Sequence, residues 1–155
     1  QFFLPEIFSA LKPLSERMRL QVVSDEPYAD EGADFEAWSP TREIAQLQAM
    51  DIGLMPLSDD EYTRGKCGFK LLQYMACGAV PVASDVGFNR EIVEHGRTGF
   101  LVREPGEWRE AVALLLDDPA RRADMAQAAR EAVVARFSLA ASARKLFTIL
   151  GFTEA

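Results

Sequence analysis

Apolar positions along this chain switch repeatedly between a period of three to four residues and short alternating or continuous runs. Between Pro5 and Arg17, Ile7, Phe8, Leu11 and Leu14 form a helical stripe. Met18 to Val23 alternates and is rich in valine, which predicts a strand. Turn signals follow at Asp25-Glu26-Pro27 and Glu31-Gly32, and Asp34 to Trp38 predicts a second, shorter strand. Ser39-Pro40-Thr41-Arg42-Glu43 reads as a helix start, with proline in the first turn and an acid after it, and Ile44, Leu47 and Gln48 carry that helix to Met50. The apolar run from Asp51 to Leu57 predicts a buried strand. Val80 to Ser84 predicts another, and Gly99 to Val102 a last strand-like piece. A short helix beginning at Glu91-Ile92-Val93 is expected to end at Gly96. Beyond Pro105 the chain is helical, with a stripe of Trp108, Val112 and Leu115, a break at Pro119, and two further helices. Short apolar strands separated by helices predict an α/β fold, a Rossmann-like parallel sheet flanked by helices, as a single domain over residues 1–155.

One stretch carries candidate chemistry. From Arg64 to Ser84 it reads as a glycine-marked loop, a helix, a stop at Gly78 and a buried strand. In open α/β sheets ligands sit outside the carboxyl ends of the strands, which is where the loop from Ser58 to Gly68 falls. Arg64, Lys66 and Lys70 gather where the helix begins. A helix N-terminus already carries partial positive charge and unpaired N–H groups, so cations there point to an anion, and Gly65 and Gly68 let a ligand approach the backbone. Phe69, Leu72 and Ala76 share one helix face, and Lys66, Lys70 and Gln73 an adjacent stripe. The competing reading is a solvated pair of lysines, neutralised locally by Asp59-Asp60-Glu61. The strand-edge position and the glycines favour the anion site.

Composition narrows the class. With 48% hydrophobic and 26% charged residues the chain is globular, and its net charge of −7 argues against a nucleic-acid surface. No apolar run approaches the roughly 18–20 residues of a membrane span, and the start lacks the pattern of a signal peptide. Cys67 and Cys77 have no metal-binding spacing and His95 is the only histidine, so no metal site is expected. Reduced thiols and a cytoplasmic setting follow.

Three pieces together resemble a known family. Gly68-Phe69-Lys70-Leu71-Leu72-Gln73-Tyr74-Met75-Ala76-Cys77-Gly78 with Val80-Pro81-Val82-Ala83-Ser84, then Gly87 with Asn89-Arg90-Glu91-Ile92-Val93, then Gly96 to Val102, are similar to the donor-binding signature of family-four glycosyltransferases. These are retaining enzymes of the two-domain GT-B architecture. Their order and spacing match over residues 51–102, and Asp117-Asp118-Pro119 and Arg136-Phe137-Ser138 are also typical of the family.

The resemblance implies the C-terminal half of such an enzyme. It would bind a nucleotide-activated sugar, a nucleotide-diphosphate sugar, as substrate rather than cofactor, for transfer to an unidentified acceptor. It implies Arg64, Gly65, Lys66, Gly68, Phe69, Lys70 and Gln73 as the donor-binding set. It places the base near Trp38 and Ser39, against the alternative of a buried tryptophan filling that loop. The family usually has two glutamates here, one near the sugar and one on the ribose. Those positions are Gly65 and Gln73 in this chain, so both carboxylates are absent. Gln73 retains an amide that can hydrogen-bond a ribose.

The acceptor-binding half and the first strand of this domain are expected to be missing, leaving the isolated domain inactive. In the whole protein a peripheral membrane association is compatible with this family. The terminal helices, with Phe137, Leu146, Phe147 and Leu150, are expected to expose an apolar patch that favours self-association. The rival readings are an inactive nucleotide-sugar-binding or regulatory module and a sugar-nucleotide epimerase. A dinucleotide-dependent oxidoreductase is disfavoured, since no G-x-G-x-x-G follows a first strand. His95 and Glu91 are read as structural, Glu91 as a helix cap.

Overall fold

The computed structural model describes residues 4–29 and 32–151. The turn expected at Glu31-Gly32 therefore lies partly outside the described residues. Helix α1 (Leu4–Leu11) buries Ile7, Phe8 and Leu11, then tightens into a 3₁₀ turn at Lys12–Leu14. Pro13 explains the change, because its ring and missing N–H cannot continue an α-helix. Strand β1 (Gln21–Ser24) begins three residues later than the alternation from Met18 predicted, and β2 (Asp34–Ala37) ends just before Trp38. Next come α2 (Glu43–Gln48), β3 (Ile52–Met55), α3 (Glu61–Arg64), α4 (Phe69–Cys77) and β4 (Val80–Ser84). The order closes with α5 (Asn89–Ile92), β5 (Phe100–Val102), α6 (Pro105–Asp117), α7 (Pro119–Phe137) and α8 (Leu139–Ile149).

Every strand pairing is parallel, but the strands form two ladders rather than one. β1 pairs β2 from Gln21↔Asp34 to Ser24↔Ala37. The second ladder has the order β3-β4-β5, with Ile52↔Val80 and Val82↔Phe100 in register. Among the described residues, β1 and β3 each keep one edge without a strand partner.

β4 organises the core. All five of its residues are buried, as expected of a central strand covered on both faces. Successive side chains point to opposite faces, so Val80 and Val82 join Ile7, Leu11, Phe100, Trp108, Val112 and Leu115. Ala83 joins Leu71, Met75, Ile92, Ala129 and Val133 instead. Helices α1 and α6 thus cover one face, and α4 and α7 the other. On α4 the buried stripe is Leu71 and Met75, both fully enclosed, while Phe69 remains 62% exposed. The face shared by Phe69, Leu72 and Ala76 is not the one that seats the helix. Of the four residues expected to form an apolar patch, Leu146, Phe147 and Leu150 are exposed, as are Leu139 and Ile149, but Phe137 is partly buried and packs against the core beside Ala129 and Val133.

The seat of α4 is tight. A Cβ added to Gly53 in β3 would lie 2.4 Å from the Tyr74 ring, so the ring rests on bare strand backbone. Tyr74 also donates its hydroxyl to the Leu54 carbonyl at 3.3 Å, and burial pushes its pKa up to about 12. Gly53→Ala should lower stability by about 1–3 kcal/mol through overpacking, read from the midpoint of urea unfolding. Adding Tyr74→Leu should recover part of that loss. An unchanged midpoint in Gly53→Ala would contradict the tight seat.

Candidate functional site

The segment between β3 and α4 is built by short-range polar contacts. Asp60 caps α3, accepting the Thr63 N–H at 2.8 Å, while the Thr63 hydroxyl accepts the Asp60 N–H at 3.2 Å and donates to the Ser58 carbonyl. This reciprocal cap converts part of the expected loop into a helical turn. Hydrogen bonds from Ser58 and from the Thr63 backbone hold the Asp60 carboxyl below its ordinary pKa. α3 ends at Gly65, and Arg64 pairs with Asp59 at 2.6 Å, so the local acids do neutralise that cation. Lys66 lies over the Tyr62 ring, 5.0 Å from its centre, and among the described residues has no carboxylate partner.

Gly68 begins α4 in the left-handed region, with φ of 66°. It is buried, and a Cβ there would lie 2.4 Å from Ile92 and 3.3 Å from the Asn89 Oδ1. Asn89 is 1% exposed and donates to the Ser84 carbonyl at 2.9 Å. The β4–α5 turn therefore braces the start of α4. It also braces α3, since a Cβ on Gly87 would fall 2.7 Å from the Arg64 carbonyl oxygen. Asp85 on the same turn holds Arg90 and Arg103, which keep its carboxyl below the ordinary range despite the opposing effect of burial.

A second knot joins the two ladders. Glu43, at the start of α2, accepts from Trp38 Nε1 at 3.3 Å and from Lys70 Nζ at 3.3 Å on the same oxygen. These donors, Trp38 foremost and then Lys70, with a smaller contribution from the nearby Gln73 amide, hold Glu43 below its ordinary pKa. Trp38, Glu43 and Lys70 border a cleft of about 60 Å³ that is also lined by Val23 of β1, Gln46 and Leu47 of α2 and Tyr74 of α4. Gln46 donates to Glu36 at 2.9 Å and to the Ala37 carbonyl at 3.0 Å, which ties α2 to β2. Among the described residues, Gln46 Oε1 and Gln73 Oε1 are buried with no hydrogen-bond partner.

The donor-binding set read from the sequence thus divides. Trp38, Lys70 and Gln73 come together around Glu43. Arg64, Gly65, Lys66 and the exposed Phe69 ring lie along the α3–α4 rim, with Gly68 between the two groups. Ser39 pairs with Thr41 through their hydroxyls at 2.9 Å. Trp38 is 41% exposed and not the buried filler of its loop. Glu43 was legible only as a helix-start acid; its five-residue distance from Trp38, at a strand end, was the available signal. His95 accepts from the Leu101 N–H at 3.2 Å and packs edge-on to Phe100, a structural role. Glu91 lies in the first turn of α5. Both cysteines are free thiols, Cys67 exposed. Among the described residues no three His, Cys, Asp or Glu side chains converge as metal ligands, and no helix is long and apolar enough to cross a membrane.

Residues 1–118 match the family described as Glycosyl transferases group 1. A D-inositol 3-phosphate glycosyltransferase of Thermobispora bispora is 36% identical over 121 residues, covering 76% of this chain and 26% of that protein. An N-acetyl-alpha-D-glucosaminyl L-malate synthase of Bacillus anthracis is 35% identical over 97 residues, covering 61% of this chain and 24% of that protein. The chain thus spans about a quarter of the length of these curated relatives. Among solved structures, Anabaena Alr3699/HepE in complex with UDP and glucose superposes with a TM-score of 0.75 at 20% identity, over 96% of this chain and 44% of that one. The C-terminal domain of LpcC from Francisella tularensis, a Glycosyl Transferase Group 1 Family Protein, gives 0.61 at 21% identity, over 71% of this chain and 56% of that one.

Gly68→Ala combines a left-handed backbone with a 2.4 Å approach to Ile92. It should cost about 1–3 kcal/mol, with amide shift changes spreading from α4 into α5 in NMR spectra. Wild-type stability with unmoved α5 signals would show that the brace is dispensable.

Proposed function

The chain belongs to the Glycosyl transferases group 1 family, as a donor-binding domain of the GT-B fold, and from that premise we propose how it holds its donor. It binds the nucleoside diphosphate of an activated sugar along the line from Trp38 to Gly68. The observation that carries this reading is the meeting of Trp38, just after β2, and Lys70, in the first turn of α4, on the single carboxylate of Glu43. The base lies by Trp38 and Ser39, the ribose by Gln73, and the diphosphate at the start of α4.

At that start, the first helical N–H groups, those of Phe69 and Lys70, have no intrahelical acceptor. Lys66, without a carboxylate partner, is the rim cation free to turn toward a phosphate, and Arg64 is engaged by Asp59. Cleavage of the sugar–phosphate bond builds negative charge on the departing phosphate oxygen. Preorganised N–H groups and an ammonium stabilise that charge, each such donor contributing about 10²–10³ in rate. Gly65 offers no side chain to the sugar, so Lys66 beside it takes the nearest polar position.

The whole protein, in this reading, transfers the sugar with retention, and the isolated domain binds nucleotide without completing transfer. The open edges of β1 and β3 support a further parallel strand between the two ladders, completing one continuous sheet. The absence of both usual glutamates is the one observation favouring the second reading, an inactive nucleotide-sugar-binding module of the same fold.

Titration with UDP, GDP and ADP, followed by backbone amide signals, should give shifts confined to residues 38–43 and 65–73 with a preferred base. Silence at millimolar concentrations of all three would remove the site. In the full-length enzyme Lys66→Ala should lower kcat about a hundredfold. Unchanged turnover would free Lys66 of its role, and a wild-type enzyme with no transferase activity would favour the inactive module.

A further inference from the structure

Lys70 serves two places at once. It is the second residue of α4, so its N–H lies at the helix start, while its ammonium reaches Glu43 Oε1 on α2 at 3.3 Å. The same oxygen accepts from Trp38 Nε1 at 3.3 Å. Two donors thus share one acceptor, each at the long end of hydrogen-bond range. Arg64 is held by Asp59 and Lys70 by Glu43. An anion arriving at the helix start therefore competes with Glu43 for the Lys70 ammonium.

A diphosphate wins that competition. The Lys70 side chain is 43% exposed and that of Glu43 25%, and an ion pair this open to water is weak. A diphosphate brings more negative charge and more acceptor oxygens than one carboxylate. Once Lys70 leaves, the Glu43 oxygen belongs to Trp38 alone. A hydrogen bond to an ionised acceptor is the stronger kind, and without a second donor on that oxygen it tightens. The indole, 41% exposed, is then fixed more firmly.

We propose that Glu43 is a positioning residue that couples the two halves of the donor site: it holds Lys70 while the site is empty, yields it to a diphosphate, and then steadies the Trp38 indole for the base. The inference rests on the nucleotide-binding reading given above and adds to it a residue of α2, outside the α4 signature. Inorganic pyrophosphate must separate Lys70 from Glu43 with no base to use the steadied ring, so Glu43 biases the site toward complete nucleotides. Such coupling is reciprocal: a base at Trp38 favours the phosphates by the same factor.

The test titrates inorganic pyrophosphate into the protein and follows amide and indole N–H signals by NMR. The chain has two tryptophans, and Trp108 is fully buried in the core with Val80 and Val82, which makes it a built-in reference. Pyrophosphate should move the Trp38 indole N–H downfield together with the amides of residues 65–73, although it carries no base, and leave Trp108 in place. Glu43→Gln, whose neutral amide holds the ammonium less strongly, should bind pyrophosphate about two- to fivefold more tightly. Loss of a merely structural contact would not give that gain. The variant should also show a smaller preference for the best of UDP, GDP and ADP over pyrophosphate. The wild-type indole signal decides alone if Glu43→Gln does not fold. A Trp38 signal that stays in place, or a folded Glu43→Gln that binds pyrophosphate no more tightly than the wild type, overturns the inference. Nucleotide shifts at residues 65–73 then leave the donor-site reading intact. Absence of any shift with pyrophosphate and with every nucleotide overturns both.

Discussion

Tyr74 rests on Gly53 with no space for a methyl group between ring and strand, and the candidate site depends on that contact. It sets the distance and rotation of α4 above β3. Leu71 and Met75 then turn fully inward, and Lys70 and Gln73, on the neighbouring stripe, face α2. A helix seated one side chain farther out would separate Lys70 from Glu43 and open the knot that joins the two ladders. The chemistry proposed for Glu43 is thus a consequence of packing at a glycine.

The same logic governs the other end of the helix. Gly68 fits between Ile92 and Asn89 because it has no side chain, and its left-handed backbone turns the chain from rim to helix in one residue. Asn89 is itself fixed by the Ser84 carbonyl at the end of β4. The central strand therefore controls the site twice. It holds α4 from below through the core, and it holds the helix start from the side through α5. Polar groups at the surface are positioned by apolar and backbone contacts beneath them.

Much of this was legible in the residues. The strand of five buried residues at Val80–Ser84 announced itself by continuous apolarity, and the helix ending at Gly78 by its stop. The place of the β3–α4 segment beyond the carboxyl end of a strand followed from strand-to-helix order alone, and the motif pattern from Gly68 onward carried the family. What periodicity left hidden has physical causes. The turn of helix at Glu61–Arg64 is too short to show a stripe, and it exists because Asp60 and Thr63 satisfy each other's backbone groups. The burial of Leu71 and Met75 in place of the Phe69 face depends on where β3 and α7 lie. Glu43 stayed hidden for a related reason: its partners Trp38, Lys70 and Gln73 are distant in sequence or on another element, and their convergence is tertiary. The split of the sheet into two ladders is likewise invisible to local patterning, because each strand's own sequence is compatible with either arrangement.

In the proposed reading the nucleotide lies across both segments at once, from the α2 side to the start of α4. A crystal structure of the protein bound to its preferred nucleoside diphosphate tests it most directly. The diphosphate is expected on the Phe69 and Lys70 N–H groups, the ribose by Gln73, and the base against Trp38. A nucleotide bound away from α4, or one whose base never approaches Trp38, would contradict it.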